Sequence, residues 1–163
     1  MESVHIQPAT LDDLEVIVPL FNAYRCFYGQ PDDPDTARDF LQQRLEREES
    51  VILLARDRDD RRPVGFAQLY PSFSSVQARP AWILNDLYVD DQVRGLGLGR
   101  ALVEEATRFA RDSGAARISL ETSRDNRRAQ ALYEVLGWRE QTDMVHYVLE
   151  LDDAGRRSMG EQA

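Results

Sequence analysis

No lysine occurs in these 163 residues; all 20 basic side chains are arginine. That absence excludes a Schiff base formed on the chain and a phosphate loop of the G-x-x-x-x-G-K-[ST] kind, both of which need a lysine amine. Cysteine is scarce as well. Cys26 alone closes no internal disulfide, so a reducing, cytoplasmic setting is expected. The thiol falls in an apolar helical pattern, where packing is commoner than nucleophilic work. No apolar run approaches the roughly 18 residues of a membrane span, and the polar opening MESVHIQP is no secretion signal. Positive charge is also short: the formal net charge of -9 argues against nucleic acid and suits a cationic or amine substrate, or solubility alone.

What remains is the composition of an ordinary soluble globular chain, long enough for one domain with a real core. VHIQ reads as a short first strand. Thr10, with Asp13 three residues on, opens a helix by a capping-box variant, and Leu14, Ile17, Val18, Phe21 and Tyr24 follow at helical spacing. Pro19 inside that helix predicts a kink or a broken turn. After the loop GQPDDPD, Asp35 or Thr36 caps a second helix through Glu48. VILLARD and PVGFAQLYPSF read as a hairpin around RDDRR, and AWILNDLYV as a third strand. A glycine-rich turn leads into a helix ending near Gly114; ARISLET is a strand, Asn126 to Leu136 a helix stopped by Gly137, and MVHYVLEL a closing strand. The expected order is βααβββαβαββ, an α/β chain with one mixed sheet flanked by helices, a single domain over 1–151 and a loose tail over 152–163.

The turn VRGLGLGR carries Gly95, Gly97 and Gly99 between strand and helix. A dinucleotide fingerprint G-x-G-x-x-G fails at its third glycine, where Arg100 stands, and the turn comes too late for two nucleotide-binding halves. Arg94-x-x-Gly97-x-Gly99 remains. A helix start with unpaired amides and a partial positive charge suits a pyrophosphate, the glycines leave the backbone approachable, and Arg94 and Arg100 add charge. Read alone, a plain strand-to-helix connection is the competing reading of the turn.

R-x-x-G-x-G followed by NRRAQALYEVLGW resembles the GCN5-related N-acetyltransferase (GNAT) superfamily, most strongly over residues 82 to 138. FNAYRCFYGQ, QLYPSFSS and WILNDLYV are most similar to its histone and polyamine acetyltransferase-like branch. The resemblance implies a mixed sheet with a splayed pair of parallel strands, acetyl-CoA as cosubstrate and no metal. It places the pyrophosphate on the amides around Arg94, Gly95, Gly97, Leu98, Gly99 and Arg100, the pantetheine arm along Leu87, Tyr88 and Val89, and further contacts at Asn126, Ala129 and Tyr133. It also implies direct attack of an amine on the thioester and, in this branch, a homodimer paired through the closing strands.

That chemistry has two proton problems. A lysine-like amine is only about one part in 10³ neutral at pH 7, a handicap near 4–5 kcal/mol, and the leaving thiolate needs an acid. Tyr133 matches the family's acid, although the stripe Ala129, Leu132, Tyr133, Leu136 also reads as a core face. For the base, Asn85 stands where the diamine acetyltransferases carry glutamate, and an amide takes no proton. Asp86, Glu121 or a water are the substitutes. On a regular strand Asn85 and Asp86 face opposite ways unless a bulge intervenes.

Phe21, Tyr24, Phe27 and Tyr28 are candidates to line an amine pocket, with Asn85 beside it, and Asp32, Asp33 and Asp35 to attract a cation. A packed aromatic face and a solvated turn are the competing readings. His146, in an apolar strand, reads as structural. The activities left standing are an acetyltransferase for a polyamine, another small amine or a lysine side chain, and a non-catalytic CoA-binding module.

Overall fold

Strands β2 (Val51–Asp57) and β3 (Pro63–Ser74) form the hairpin the apolar runs predict, with Leu54 opposite Phe66 and Leu53 opposite Ala67. The computed structural model describes residues 4–152. β1 (Val4–Pro8) joins β2, and β4 (Arg79–Val89) joins β3, all antiparallel; β5 (Ile118–Ser119) lies parallel to β4. The sheet order is β1-β2-β3-β4-β5, a mixed α/β architecture. The chain divides into two compact units, Met1–Arg127, which holds the sheet, and Arg128–Ala163.

Alternation along the strands covers both sheet faces. Ile52, Leu54 and Phe66 pack with Leu14, Ile17, Val18 and Phe21 of α1 (Leu14–Phe27) and with Ala37 and Leu41 of α2 (Pro34–Glu46). The opposite face meets α3 (Leu98–Asp112): Trp82 sets its ring edge-on to Phe109, and Gly65 lies under Leu102. A Cβ added to Gly65 would stand 2.8 Å from the Tyr88 carbonyl and 3.4 Å from Leu102 Cδ1, so glycine there lets β4 and α3 close in.

The Thr10 capping box forms, with the Thr10 amide donating to Asp13 Oδ2 at 2.9 Å, but its first turn is 3₁₀ and α1 starts at Leu14. Pro19 leaves α1 unbroken. The acceptor it fails to satisfy is the carbonyl of Glu15, an exposed residue. α2 is capped by Asp33 rather than Asp35 or Thr36, with Pro34 at the first helical position, where its missing amide hydrogen costs nothing. β5 keeps only two residues of ARISLET.

In the second unit α4, which begins at the boundary (Arg127–Val135), ends at Gly137, whose φ of 90° is the predicted left-handed stop. MVHYVLEL does not form the expected closing strand: it joins no ladder among the described residues, and Met144, Val145, Tyr147, Leu149 and Leu151 are exposed. Its residues have strand propensity, but a strand exists only against a partner edge, which propensity does not supply. His146 accordingly lies in an exposed, irregular segment. The tail from Asp153 lies outside the described residues.

Candidate active site

The register of β3 against β4 shifts once. Gln68 faces Asp86 and Leu69 faces Leu84, so Asn85 is an extra residue, a β-bulge. Without it Asp86 would share the face of Trp82 and Leu84, toward α3. With it, Asp86 and Tyr88 turn to the α1 side, and Asn85 is left exposed.

There Asp86 is 3% exposed and accepts three hydrogen bonds. Tyr24 Oη donates to Oδ1 at 2.7 Å, Asn85 Nδ2 to the same oxygen at 2.9 Å, and Gln68 Nε2 to Oδ2. Behind Gln68, Ser50 Oγ donates to its Oε1 at 2.9 Å. Burial first and the Asp86 carboxylate second push the Tyr24 phenol far above its usual range, so it is a donor at every working pH. The same two causes push Tyr70 up to about 12.

Phe27 and Tyr28 end α1 with exposed rings, and the Tyr28 ring lies tilted against Tyr24, centroids 5.0 Å apart. Phe21 instead is buried core. The acidic loop serves local structure: Asp32 accepts from Asn22, Asp33 caps α2, and Asp35 pairs with Arg38. The Thr36 hydroxyl and amide hold the Asp33 carboxyl below its ordinary range. Cys26 is exposed rather than packed.

Past β4 the backbone turns through Gly95 and Gly97, with φ of 84° and 80°, a left-handed region costly to other residues. Gly97 is the N-cap of α3 and offers no side-chain acceptor, and the first turn holds no acid. The opening amides Leu98, Gly99 and Arg100 are the ones a helix leaves without an internal partner. A Cβ at Gly99 would meet only Val89 Cγ2, at 4.0 Å. The arginines are engaged locally: Arg94 donates to the Val89 carbonyl, pairs with Asp91 and lies over the rings of Phe27 and Tyr88, while Arg100 pairs with Glu104.

β4 and β5 pair only at Trp82–Ile118 and Ile83–Ser119. Beyond Ile83 the edge of β4 through Leu87, Tyr88 and Val89 has no strand beside it among the described residues, which is the splay expected of this pair. Glu121 follows β5 as an exposed residue, unlike buried Asp86, and Asn126, whose amide donates to Ser123, is exposed just before α4. In the second unit Ala129 and Tyr133 lie on α4, and the Tyr133 ring rests against Trp138 at 5.9 Å.

A bulged strand with an open edge running into an uncapped helix start is matched by relatedness. The pattern of the Acetyltransferase (GNAT) family covers residues 17–138. The chain belongs to this GNAT family. An uncharacterized N-acetyltransferase of Bacillus subtilis (strain 168), YhfO, is 44% identical over 91% of this chain and 98% of its own. A cattle (Bos taurus) protein named thialysine N-epsilon-acetyltransferase is 32% identical over 49% of this chain and 46% of its own. A crystal structure described as a probable acetyltransferase superposes with a TM-score of 0.87 at 44% identity, over 91% of this chain and 99% of that one.

As a GNAT protein the chain is an acetyltransferase enzyme of the N-acetyltransferase type, and GNAT acetyltransferases use acetyl-CoA. The turn fits that group: the amides opening α3 are uncapped, no carboxylate stands in the first turn, and the space over Gly99 is open. No cluster of three His, Cys, Asp or Glu side chains that would hold a metal occurs among the described residues, and no described helix is long and apolar enough to cross a membrane.

Three polar residues of the site escaped the sequence reading: Ser50, Gln68 and Tyr70. Gln68 carried a signal, as the single amide inside the otherwise apolar VGFAQL, where a buried polar side chain requires partners.

Proposed function

We propose that this GNAT enzyme transfers acetyl from acetyl-CoA to a primary amine, on a polyamine, another small amine or a lysine side chain, by direct attack in a ternary complex. The observation that carries the reading is β4 itself. Its open edge leads to the uncapped start of α3, and its bulge turns a buried carboxylate, Asp86, toward the aromatic end of α1. The cattle relative's name, an N-epsilon-acetyltransferase, supports an amine acceptor.

In this reading Leu87, Tyr88 and Val89 offer backbone groups to the pantetheine arm. The amides of Arg94, Gly95, Gly97, Leu98, Gly99 and Arg100 hold the pyrophosphate, and Asn126 and Ala129 add contacts. Phe27, Tyr28 and Asn85 border the acceptor. Acetyl-CoA supplies an activated thioester; the amine nitrogen gains the acetyl carbon as the carbon–sulfur bond breaks. Tyr133 gives its proton to the departing sulfur. The ammonium gives one proton to Asp86, Glu121 or a water before attack, and the second proton, shed as the nitrogen becomes an amide, restores Tyr133. The domain spans 1–151, works in the cytoplasm and pairs as a homodimer through residues 144–151, whose apolar side chains are exposed.

The test is release of CoA thiol in the presence of a panel of amines. The enzyme has no lysine to acetylate on itself, which keeps the background low. Thiol release dependent on an amine is expected; tight acetyl-CoA binding with no turnover on any amine identifies a CoA-binding module instead.

A further inference from the structure

The hydrogen bonds around Asp86 have a fixed direction. A carboxylate accepts only, so the Gln68 amide must aim its NH₂ at Oδ2 and its oxygen at Ser50, whose hydroxyl then donates. Tyr24 and Asn85 also donate. The chain runs from Ser50 through Gln68 to Asp86 and meets Tyr24 coming the other way. Its four residues come from the position just before β2, from β3, from β4 and from α1, and Gln68 is fully buried. Each carboxylate oxygen has about two acceptor positions. Oδ1 spends both on Tyr24 and Asn85; Oδ2 spends one on Gln68 and keeps one.

No member of this network takes a proton from Asp86. Two are amides, and the Tyr24 phenol already points its hydrogen at the carboxylate. Three donors converging on one buried carboxylate fix its orientation and leave one acceptor position for a further donor.

We propose that Asp86 acts as a fixed counter-charge for the acceptor's ammonium, through the free position on Oδ2, and that Tyr24, backed by Gln68 and Ser50, is the positioning residue that aims it. The inference rests on the amine-acetyltransferase reading and assigns the proton's exit to water or Glu121. Tyr24 suits the task because its ring is packed among Phe21, Tyr28, Phe66 and Tyr88, which fixes its oxygen beside Asp86. Tyr24→Phe therefore keeps the packing and removes only the donor.

An anchor and a base differ in how the kinetic constants divide: losing an anchor raises KM, losing a base lowers kcat. The experiment measures steady-state kinetics, and calorimetric binding in the presence of CoA, with butylamine, 1,4-diaminobutane and Nα-acetyl-lysine. For Tyr24→Phe the amine KM should rise about tenfold, the usual effect of losing a hydrogen bond to a charged group, with kcat and the acetyl-CoA KM unchanged. Asp86→Asn should raise the amine KM further and keep a measurable kcat. A kcat loss of about 10²-fold or more in Asp86→Asn, or an unchanged amine KM in Tyr24→Phe, overturns the inference while leaving the function intact. Amine binding without turnover, weakened in Tyr24→Phe, overturns the function and sustains the anchor. Neither binding nor turnover by the wild-type protein overturns both.

Discussion

Tyr133 and Tyr70 belong to one residue type but make opposite predictions. In the proposed mechanism Tyr133 protonates the departing sulfur. Tyr133→Phe should fold normally, with an unchanged melting temperature, yet lose kcat by about 10²-fold or more; equal kcat in the two proteins would remove Tyr133 from the chemistry. Tyr70 concerns stability. Burial and Asp86 push its phenol up to about 12, above the value of about 10 in an unfolded chain. Between those values the unfolded chain ionises while the folded one does not. The contribution is therefore whole below pH about 10 and lost as pH rises through about 12. With no lysine in the chain, no ammonium side chain titrates in that window. Urea midpoints should fall across it, and less steeply in Tyr70→Phe. Tyr133 was singled out from the sequence because a motif surrounds it; Tyr70 was not, because its neighbours are remote in the chain and only the sheet register brings them together.

At the scale of elements, the strands and helices with long periodic patterns were readable, and their special positions were not. β2 matches VILLARD residue for residue, because an apolar run between turns has few alternatives. The cap of α2 was misplaced by two residues or more because Asp33, Asp35 and Thr36 are all good caps, and Pro34 decides among them by fitting only the first turn. The Asn85 bulge was raised only as a condition, since which residue is extra depends on the partner strand. Gly65 gave no signal, yet it holds β3, β4 and α3 together. Gly65→Ala forces a Cβ against the Tyr88 carbonyl, whose backbone has little freedom to retreat. Destabilisation of about 1–3 kcal/mol is expected from such overpacking, measured as a lower denaturant midpoint with an unchanged slope. No shift in midpoint would mean that β4 moves aside more easily than its pairing suggests.

For the molecule as a whole, the proposed pairing of copies through 144–151 predicts a dimer in light scattering. Val145→Asp with Leu149→Asp should yield a monomer, because aspartate disfavours strand pairing and removes the exposed apolar contact. A wild-type monomer at all concentrations would refute it. The closing strand was misread for the reason that makes this test necessary: a segment's own residues do not name the edge it pairs with. The sheet of the first unit has a different consequence. α1 and α2 cover one face and α3 the other, so in the proposed arrangement β4 is a partition, with the helix that would seat the acetyl donor on one side and the aromatic end that would border the acceptor on the other. Two substrates arriving from opposite sides of a wall would not compete for entry. Spent CoA should then rival acetyl-CoA for its seat and leave the amine's door open, giving competitive product inhibition against the donor and noncompetitive inhibition against the acceptor.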